Sequence, residues 1–162
     1  MKGFTLVEIL IVVIILGILA AIVIPQFTEA SQDARESALV SDLQTVRSQL
    51  ELYKVQHLER YPHIADTGLP DASAANFVLR LTGRTDQEGQ IIATGKFGPY
   101  LQKFPTNPFV ADADGPNEVL FGSLETAPGV GAGWYFNNDN TTQWFGKFSA
   151  NDDDGDPLHT SL

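Results

Sequence analysis

From Phe4 to Ile24 the chain runs for 21 residues interrupted only by Thr5 and Glu8, and from Ile9 to Ile24 no side chain is charged or polar. At about 1.5 Å rise per residue such a run spans roughly 31 Å as a helix, the thickness of a bilayer's hydrocarbon core. It is apolar on every face, so it is not an ordinary amphipathic surface helix. Its Ile and Val content argues against selection for helix propensity. In lipid that matters little, because a helix bonds its own backbone groups internally.

Three readings fit this segment. A cleaved secretory signal would be shorter and would be followed by a small-x-small site, whereas Ile24-Pro25-Gln26-Phe27 follows here. A plain single-pass anchor accounts for the length alone. The third reading uses Lys2, Gly3, Phe4 and Glu8 together. Lys2 precedes Gly3, the apolar run starts at once, and Glu8 stands where a spanning helix should carry no charge. An acid at the centre of a spanning helix costs roughly 2.5–3.5 kcal/mol on insertion scales, and less near an end. The helix dipole tolerates an acid in the first turn, but does not explain its place beside a Gly-Phe junction.

These residues, KGFTLVEILIVVIILGILAAIVIP, resemble the class III signal of the type IV pilin superfamily. The resemblance implies cleavage by a prepilin peptidase between Gly3 and Phe4, with removal of residues 1–3 as a leader. It implies methylation of the new Phe4 amine, and it makes Glu8 the assembly residue whose carboxylate pairs with the Phe4 amine of a neighbouring subunit. A buried carboxylate and a buried amine are each costly, and pairing offsets much of that cost. Pro25 removes a backbone donor and is expected to kink the helix or mark the membrane boundary.

Beyond the spanning part (residues 4–25), Leu39, Leu43, Val46, Leu50 and Tyr53 recur at helical period and predict an amphipathic helix over residues 26–60. Tyr61-Pro62 is expected to end it. Residues 61–162 read as a globular α+β unit. A short helix from Ala72 to Leu81 is predicted with Asp71 as its cap, burying Ala74, Phe77, Val78 and Leu81. Ile91-Ile92 suggests a short strand. Pro99, Pro105 and Pro108 prevent regular structure, while Tyr100, Leu101, Phe104 and Phe109 can pack down. Strands are predicted at Glu118 to Gly122, Gly133 to Asn137 and Gln143 to Phe148, with Trp134, Phe136, Trp144 and Phe148 as the buried face. The fold class is α+β: a long N-terminal helix, transmembrane in its first half and amphipathic in its second, packed on a small C-terminal antiparallel sheet, as in the pilin fold. Gly98-Pro99-Tyr100-Leu101 followed by Phe104-Pro105-Thr106-Asn107-Pro108 is similar to the corresponding stretch of the major pseudopilins of type II secretion systems. The Asp-Pro-Trp-Gly usual in that family is replaced by Asn107-Pro108-Phe109-Val110.

The net charge of -10 repels phosphate backbones, so no nucleic acid is expected. With no cysteine there is no disulfide, thiol nucleophile or thiolate metal site. No phosphate-binding, nucleophile-elbow or HExxH motif is present, and His57, His63 and His159 read as isolated surface or packing residues. No enzyme is expected. Asp152, Asp153, Asp154 and Asp156 repel one another unless solvated or bridged by a cation, and calcium is the natural bridge. The pseudopilin resemblance supports calcium, although the ligand pattern does not align residue by residue. A solvated acidic tail is the alternative, and Asp112 and Asp114 form a weaker second cluster. The expected function is a structural subunit of a helical secretion filament. Its expected partners are identical subunits, the prepilin peptidase, the inner-membrane assembly platform with minor pseudopilins, and the bilayer before assembly. It would cross the inner membrane once, with its C-terminal domain in the periplasm. A type IV pilus subunit and a membrane-tethered binding module that never polymerises are the alternatives.

Overall fold

A computed structural model describes residues 3–111, 115–123, 131–143 and 145–151. Its element order is α1 (Leu6–Gln56), α2 (Ala74–Thr82), β1 (Val119–Gly122), β2 (Trp134–Asn137) and β3 (Phe148–Ala150). The chain divides into two compact units, Met1–Ser37 and Ala38–Leu162. The first consists of α1 as far as Ser37 and the few residues before it. The second holds the rest of α1 and every other element.

In the second unit the period-3.6 stripe of α1 is the floor of the core. Leu39, Leu43, Val46, Leu50 and Tyr53 are buried against Phe77 and Leu81 of α2 and against Trp134, Phe136, Phe148 and Ala150 of the sheet. Fully burying a side chain of this size contributes about 1.5–3 kcal/mol relative to exposure. Trp134 and Phe148 stack with ring centroids 5.5 Å apart, and Phe104 meets both edge-on. Two polar ties set the orientation. The Arg47 Nε–H donates to the Phe148 carbonyl (2.9 Å), and the Trp134 Nε1–H donates to the Pro105 carbonyl (3.0 Å). The proline-rich stretch forms no helix or strand, yet Leu101 and Phe104 are buried, as expected.

The sheet is mixed rather than purely antiparallel. β1 pairs with β2 in parallel, Val119 facing Trp134, and β2 pairs with β3 antiparallel, Phe136 facing Phe148. The chain between Gly122 and Trp134 is long enough to return to the start of the sheet, which a tight hairpin could not do. The third strand lies later than Gln143 to Phe148. Phe145 and Gly146 lie in a turn, Gly146 with a positive φ of 80°, and of the predicted span only Phe148 is described in β3. Trp144 lies outside the described residues. Ile91 makes a single bridge to Thr85 instead of a strand with Ile92.

α1 ends before Tyr61-Pro62. It stops at Gln56, and Leu58 and Glu59 then adopt the left-handed conformation with φ of 56° and 61°. The Glu59 N–H closes the end on the Lys54 carbonyl at 3.0 Å. A side chain with a Cβ is disfavoured there. Replacing Glu59 with Gly is therefore expected to raise stability by roughly 0.5–1 kcal/mol, read as a higher urea midpoint at unchanged slope.

α2 begins two residues later than predicted, and its cap is Ser73, not Asp71. The Ser73 hydroxyl accepts from the Asn76 N–H. Asp71 is drawn elsewhere: it accepts from the Ser73 N–H, the Asn76 amide and the Arg80 guanidinium. The predicted apolar face is present, with Phe77 and Leu81 buried and Ala74 and Val78 packed partly against the core.

Candidate functional site

The candidate site is the start of the chain. Gly3, Phe4 and Thr5 precede the first helical residue, and every residue from Gly3 to Arg35 is exposed, with Phe4 at 83%. The peptide bond between Gly3 and Phe4 thus lies in non-helical, accessible backbone, the form a peptidase can grip. From Leu6 the helix presents Ile, Leu and Val all the way round, and nothing in the unit covers them. It is long and apolar enough to cross a bilayer.

Glu8 is not a free carboxylate. Its Oε2 accepts the Thr5 N–H (2.9 Å) and the Thr5 hydroxyl (2.8 Å), while the Glu8 N–H donates to Thr5 Oγ1 (3.3 Å). This is a reciprocal capping box, the side chains at the cap and three residues on satisfying each other's orphaned backbone donors. Thr5 is uncharged and lies past the Gly3-Phe4 junction, so neither charge nor the cleavage motif marks it. The Thr-x-x-Glu spacing at the mouth of an apolar run was the available signal.

α1 continues through Pro25. Proline has no N–H, so the Ala21 carbonyl loses its ladder donor there. One turn on, the Thr28 hydroxyl donates to the Ile24 carbonyl at 3.2 Å. Gly17 has open space where a side chain would begin, so a larger residue would meet nothing within its own unit.

The remaining sequence candidates fall into two groups. Asp152, Asp153, Asp154 and Asp156, like Asp112, Asp114 and His159, lie outside the described residues. Among the described residues no group of three His, Asp or Glu side chains is placed to hold a metal. His57 and His63 are packing residues. His57 stacks on Tyr53 at 3.7 Å, its Nδ1 lies 2.8 Å from the Tyr53 carbonyl, and its Nε2 lies 2.9 Å from the Thr85 hydroxyl. His63 sits among Tyr61, Phe136 and Phe145. At the end of the described chain, Asn151 is buried and donates through Nδ2 to the Ala132 carbonyl, but its Oδ1 accepts from no described residue.

Residues 1–24 match the family model described as the prokaryotic N-terminal methylation motif, so the start of this chain is similar to the N-terminal segments that model describes. Over the longer chain, the type II secretion system core protein G of Pseudomonas aeruginosa is 42% identical over 108 residues, 67% of this chain and 68% of that protein. The protein of the same name from Escherichia coli is 27% identical over 143 residues, 88% of this chain and 90% of its own length. That of Dickeya chrysanthemi is 43% identical over 61 residues, so the match spans about two fifths of that relative, 39%. This chain belongs to the type II secretion system core protein G family. No solved structure matches it.

Proposed function

We propose that this chain is a structural, non-catalytic subunit of a helical filament that serves protein export through a type II secretion system. The first three residues are removed between Gly3 and Phe4 by a membrane peptidase, and the new Phe4 amine is methylated. The apolar part of α1 holds the subunit in the inner membrane, with the globular unit in the periplasm. Assembly then exchanges lipid for the same surface of identical subunits, guided by the inner-membrane platform and minor pseudopilins.

The observation that carries this reading is the exposed apolar surface of α1, broken by one acid close to its start. A surface of that size does not persist in water. Lipid covers it before assembly, and neighbouring helices cover it afterwards. In that setting Glu8 and a neighbour's Phe4 amine attract more strongly than in water, because the surrounding dielectric is low. The pair sets the stagger between subunits. Replacing Glu8 with Leu removes the acid and keeps the helix apolar. Membrane insertion and the mature Phe4 terminus are expected to survive, while filament recovered by shearing falls at least tenfold. Filament at the parental level would contradict the assigned role.

The same reading extends to a calcium ion bound by the acidic segment Asp152, Asp153, Asp154 and Asp156. The buried Asn151 Oδ1 immediately before it supports the idea, since that oxygen accepts from no described residue. Hard carboxylate and amide oxygens are what calcium prefers. Its chemistry there is structural, neutralising like charges and tying the chain after β3. Chelation of the full chain is expected to lower the melting temperature by roughly 5 °C or more, with recovery on adding calcium but not sodium. Elemental analysis showing no calcium would end the idea.

A further inference from the structure

The link between α1 and α2 is held down by three consecutive residues. Tyr61, Pro62 and His63 are buried, whereas Asp66, Thr67, Leu69 and Pro70 beyond them are exposed. Just before the anchor stand Leu58 and Glu59, in a left-handed backbone conformation that residues with a Cβ adopt only at a cost. The link thus combines a strained hinge, a small buried anchor and an exposed tip. We propose that residues 61–70 form an acid-sensitive strap, which lifts off the aromatic cluster beneath it when His63 takes up a proton, while the sheet and α2 stay folded.

The anchor is built from groups that a buried charge disrupts. The His63 ring lies 5.2 Å from the ring of Phe136 in β2, 5.7 Å from that of Phe145 in the turn before β3, and 6.4 Å from that of Tyr61. In the charged imidazole both nitrogens carry a proton, and the buried Nδ1 has no acceptor among the described residues. The charged groups nearby do not supply one. α2 contributes Arg80, a cation, whose Nη1–H holds the Pro62 carbonyl at 2.8 Å. The approach to α2 contributes Asp71, already taken up by the Ser73 N–H, Asn76 and Arg80. α1 contributes Glu51, which accepts from the Tyr61 hydroxyl at 2.9 Å, and Lys54, 4.9 Å above the Tyr61 ring. β2 and the turn present only the uncharged rings of Phe136 and Phe145. Burial first, and the Arg80 charge second, push the His63 imidazole down from 6.5 to about 4. Lifting the strap returns the ring to water and to its ordinary value. Between pH 6.5 and 4 the open form therefore binds a proton that the closed form refuses, so opening becomes more favourable as pH falls through that window. The opening is small. The tip is already exposed, and its bonds, from the Ala65 N–H to the Leu69 carbonyl and from the Asp71 N–H to the His63 carbonyl, are local to the strap. What it uncovers is the aromatic face of Phe136 and Phe145.

A strap that opens by itself differs from a unit that unfolds as a whole in how much surface it exposes, and urea reads that difference. Amide hydrogen exchange is therefore followed on the full chain in detergent between pH 7 and pH 4.5, with and without a low, non-denaturing urea concentration, and corrected for the intrinsic pH dependence of exchange. Protection of the Ala65 and Asp71 amides is expected to fall at least tenfold over this range and to be insensitive to urea. The Trp134 amide, bonded to the Glu118 carbonyl within the sheet, is expected to stay at least tenfold better protected at pH 4.5 and to lose protection in urea. His63→Phe and His63→Gln both remove the titrating group, the first keeping a ring and the second a polar side chain. In either, strap protection is expected to change less than twofold between pH 7 and pH 4.5. Glu51→Gln keeps an acceptor for the Tyr61 hydroxyl but cannot titrate, and is expected to retain the full acid response. Equal protection and equal urea sensitivity at Asp71 and Trp134 would mean that the unit opens only as a whole and would overturn the proposal. So would a tenfold loss that persists in a folded His63 variant, or one that disappears in Glu51→Gln.

Discussion

Replacing Arg80 with Met lowers the stability of the globular unit by about 3–5 kcal/mol, the scale seen when one partner of a buried ion pair is removed. Arg80 sits near the end of α2, is only 5% exposed, and spends every face of its guanidinium. Nε–H donates to the Gly89 carbonyl (3.1 Å), Nη1–H to the Pro62 carbonyl (2.8 Å) and Nη2–H to Asp71 Oδ2 (2.9 Å). One side chain thereby joins the turn after α1, the approach to α2 and the loop that follows it. Methionine fills much of the volume but leaves the Pro62 and Gly89 carbonyls without their donor and strips the Asp71 carboxylate of its cationic partner, so that only the Ser73 N–H and the Asn76 amide still bond it, and each loss carries a desolvation cost. Burial alone would push the Asp71 carboxyl up. Hydrogen bonds from the Ser73 N–H and Asn76, then the bond and charge of Arg80, outweigh it and hold the group below its ordinary range. Urea denaturation of the full chain in detergent measures the loss. The double variant Arg80→Met with Asp71→Asn should recover part of it, because the unpaired charge is gone. A loss below about 1 kcal/mol would mean that the three bonds are matched by water in the native state.

How far these features could be read in advance depended on whether they leave a periodic trace. The Leu39 to Tyr53 stripe was legible because burial against a sheet imposes a 3.6-residue period, and the same logic placed Phe77 and Leu81. The apolar segment and the Gly3-Phe4 junction were legible because composition and a short motif carry them. The end of α1 was not, because Leu58 and Glu59 hold a left-handed conformation that nothing in their composition announces, and Tyr61-Pro62 was the more visible stop signal. Asp71 looked like a cap because aspartate suits that position, but Arg80, nine residues on, competes for it. That competition is tertiary and has no local signature. The last strand was misplaced for a related reason. Trp144 and Phe148 alternate in a way that suits a strand, while Gly146 bends the backbone between them. The parallel pairing of β1 with β2 depends on where the intervening chain travels, which strand patterns do not encode. At the start of α1, Glu8 stands out in the sequence by its improbable placement in an apolar run, whereas the Thr-x-x-Glu spacing is the only local trace of the bonds between Thr5 and Glu8.

Acidification from pH 7 to pH 4 is expected to weaken the globular unit, with His63 as the main cause. His63 is 2% exposed, and its Nδ1 has no hydrogen-bond partner among the described residues. Burial, and secondarily the positive charge of Arg80, push its imidazole down from the ordinary 6.5 to about 4. The direction of the effect follows from which state takes up the proton. Between pH 6.5 and 4 the unfolded chain binds a proton at this position and the folded chain does not. Stability is therefore complete above 6.5, falls as pH drops through that window, and levels off for this group below about 4. One such group contributes at most about 1.4 kcal/mol per pH unit. Allowing for screening by nearby solvent, the loss over the window is roughly 2 kcal/mol. His57 acts in the same direction, since burial also lowers it, though its bond with the Tyr53 carbonyl opposes that shift. Asp71, held below an ordinary value of 3.8, adds its own loss only at more acid pH, so the window reports the histidines. His63→Phe keeps an aromatic ring among Tyr61, Phe136 and Phe145 and removes the titrating group. Urea midpoints for parent and variant at pH 7, 6, 5 and 4 should diverge steadily, the variant losing less. Parallel curves would assign the acid sensitivity to His57 instead, where the Thr85 hydroxyl gives a protonated ring no second acceptor as strong as the Tyr53 carbonyl.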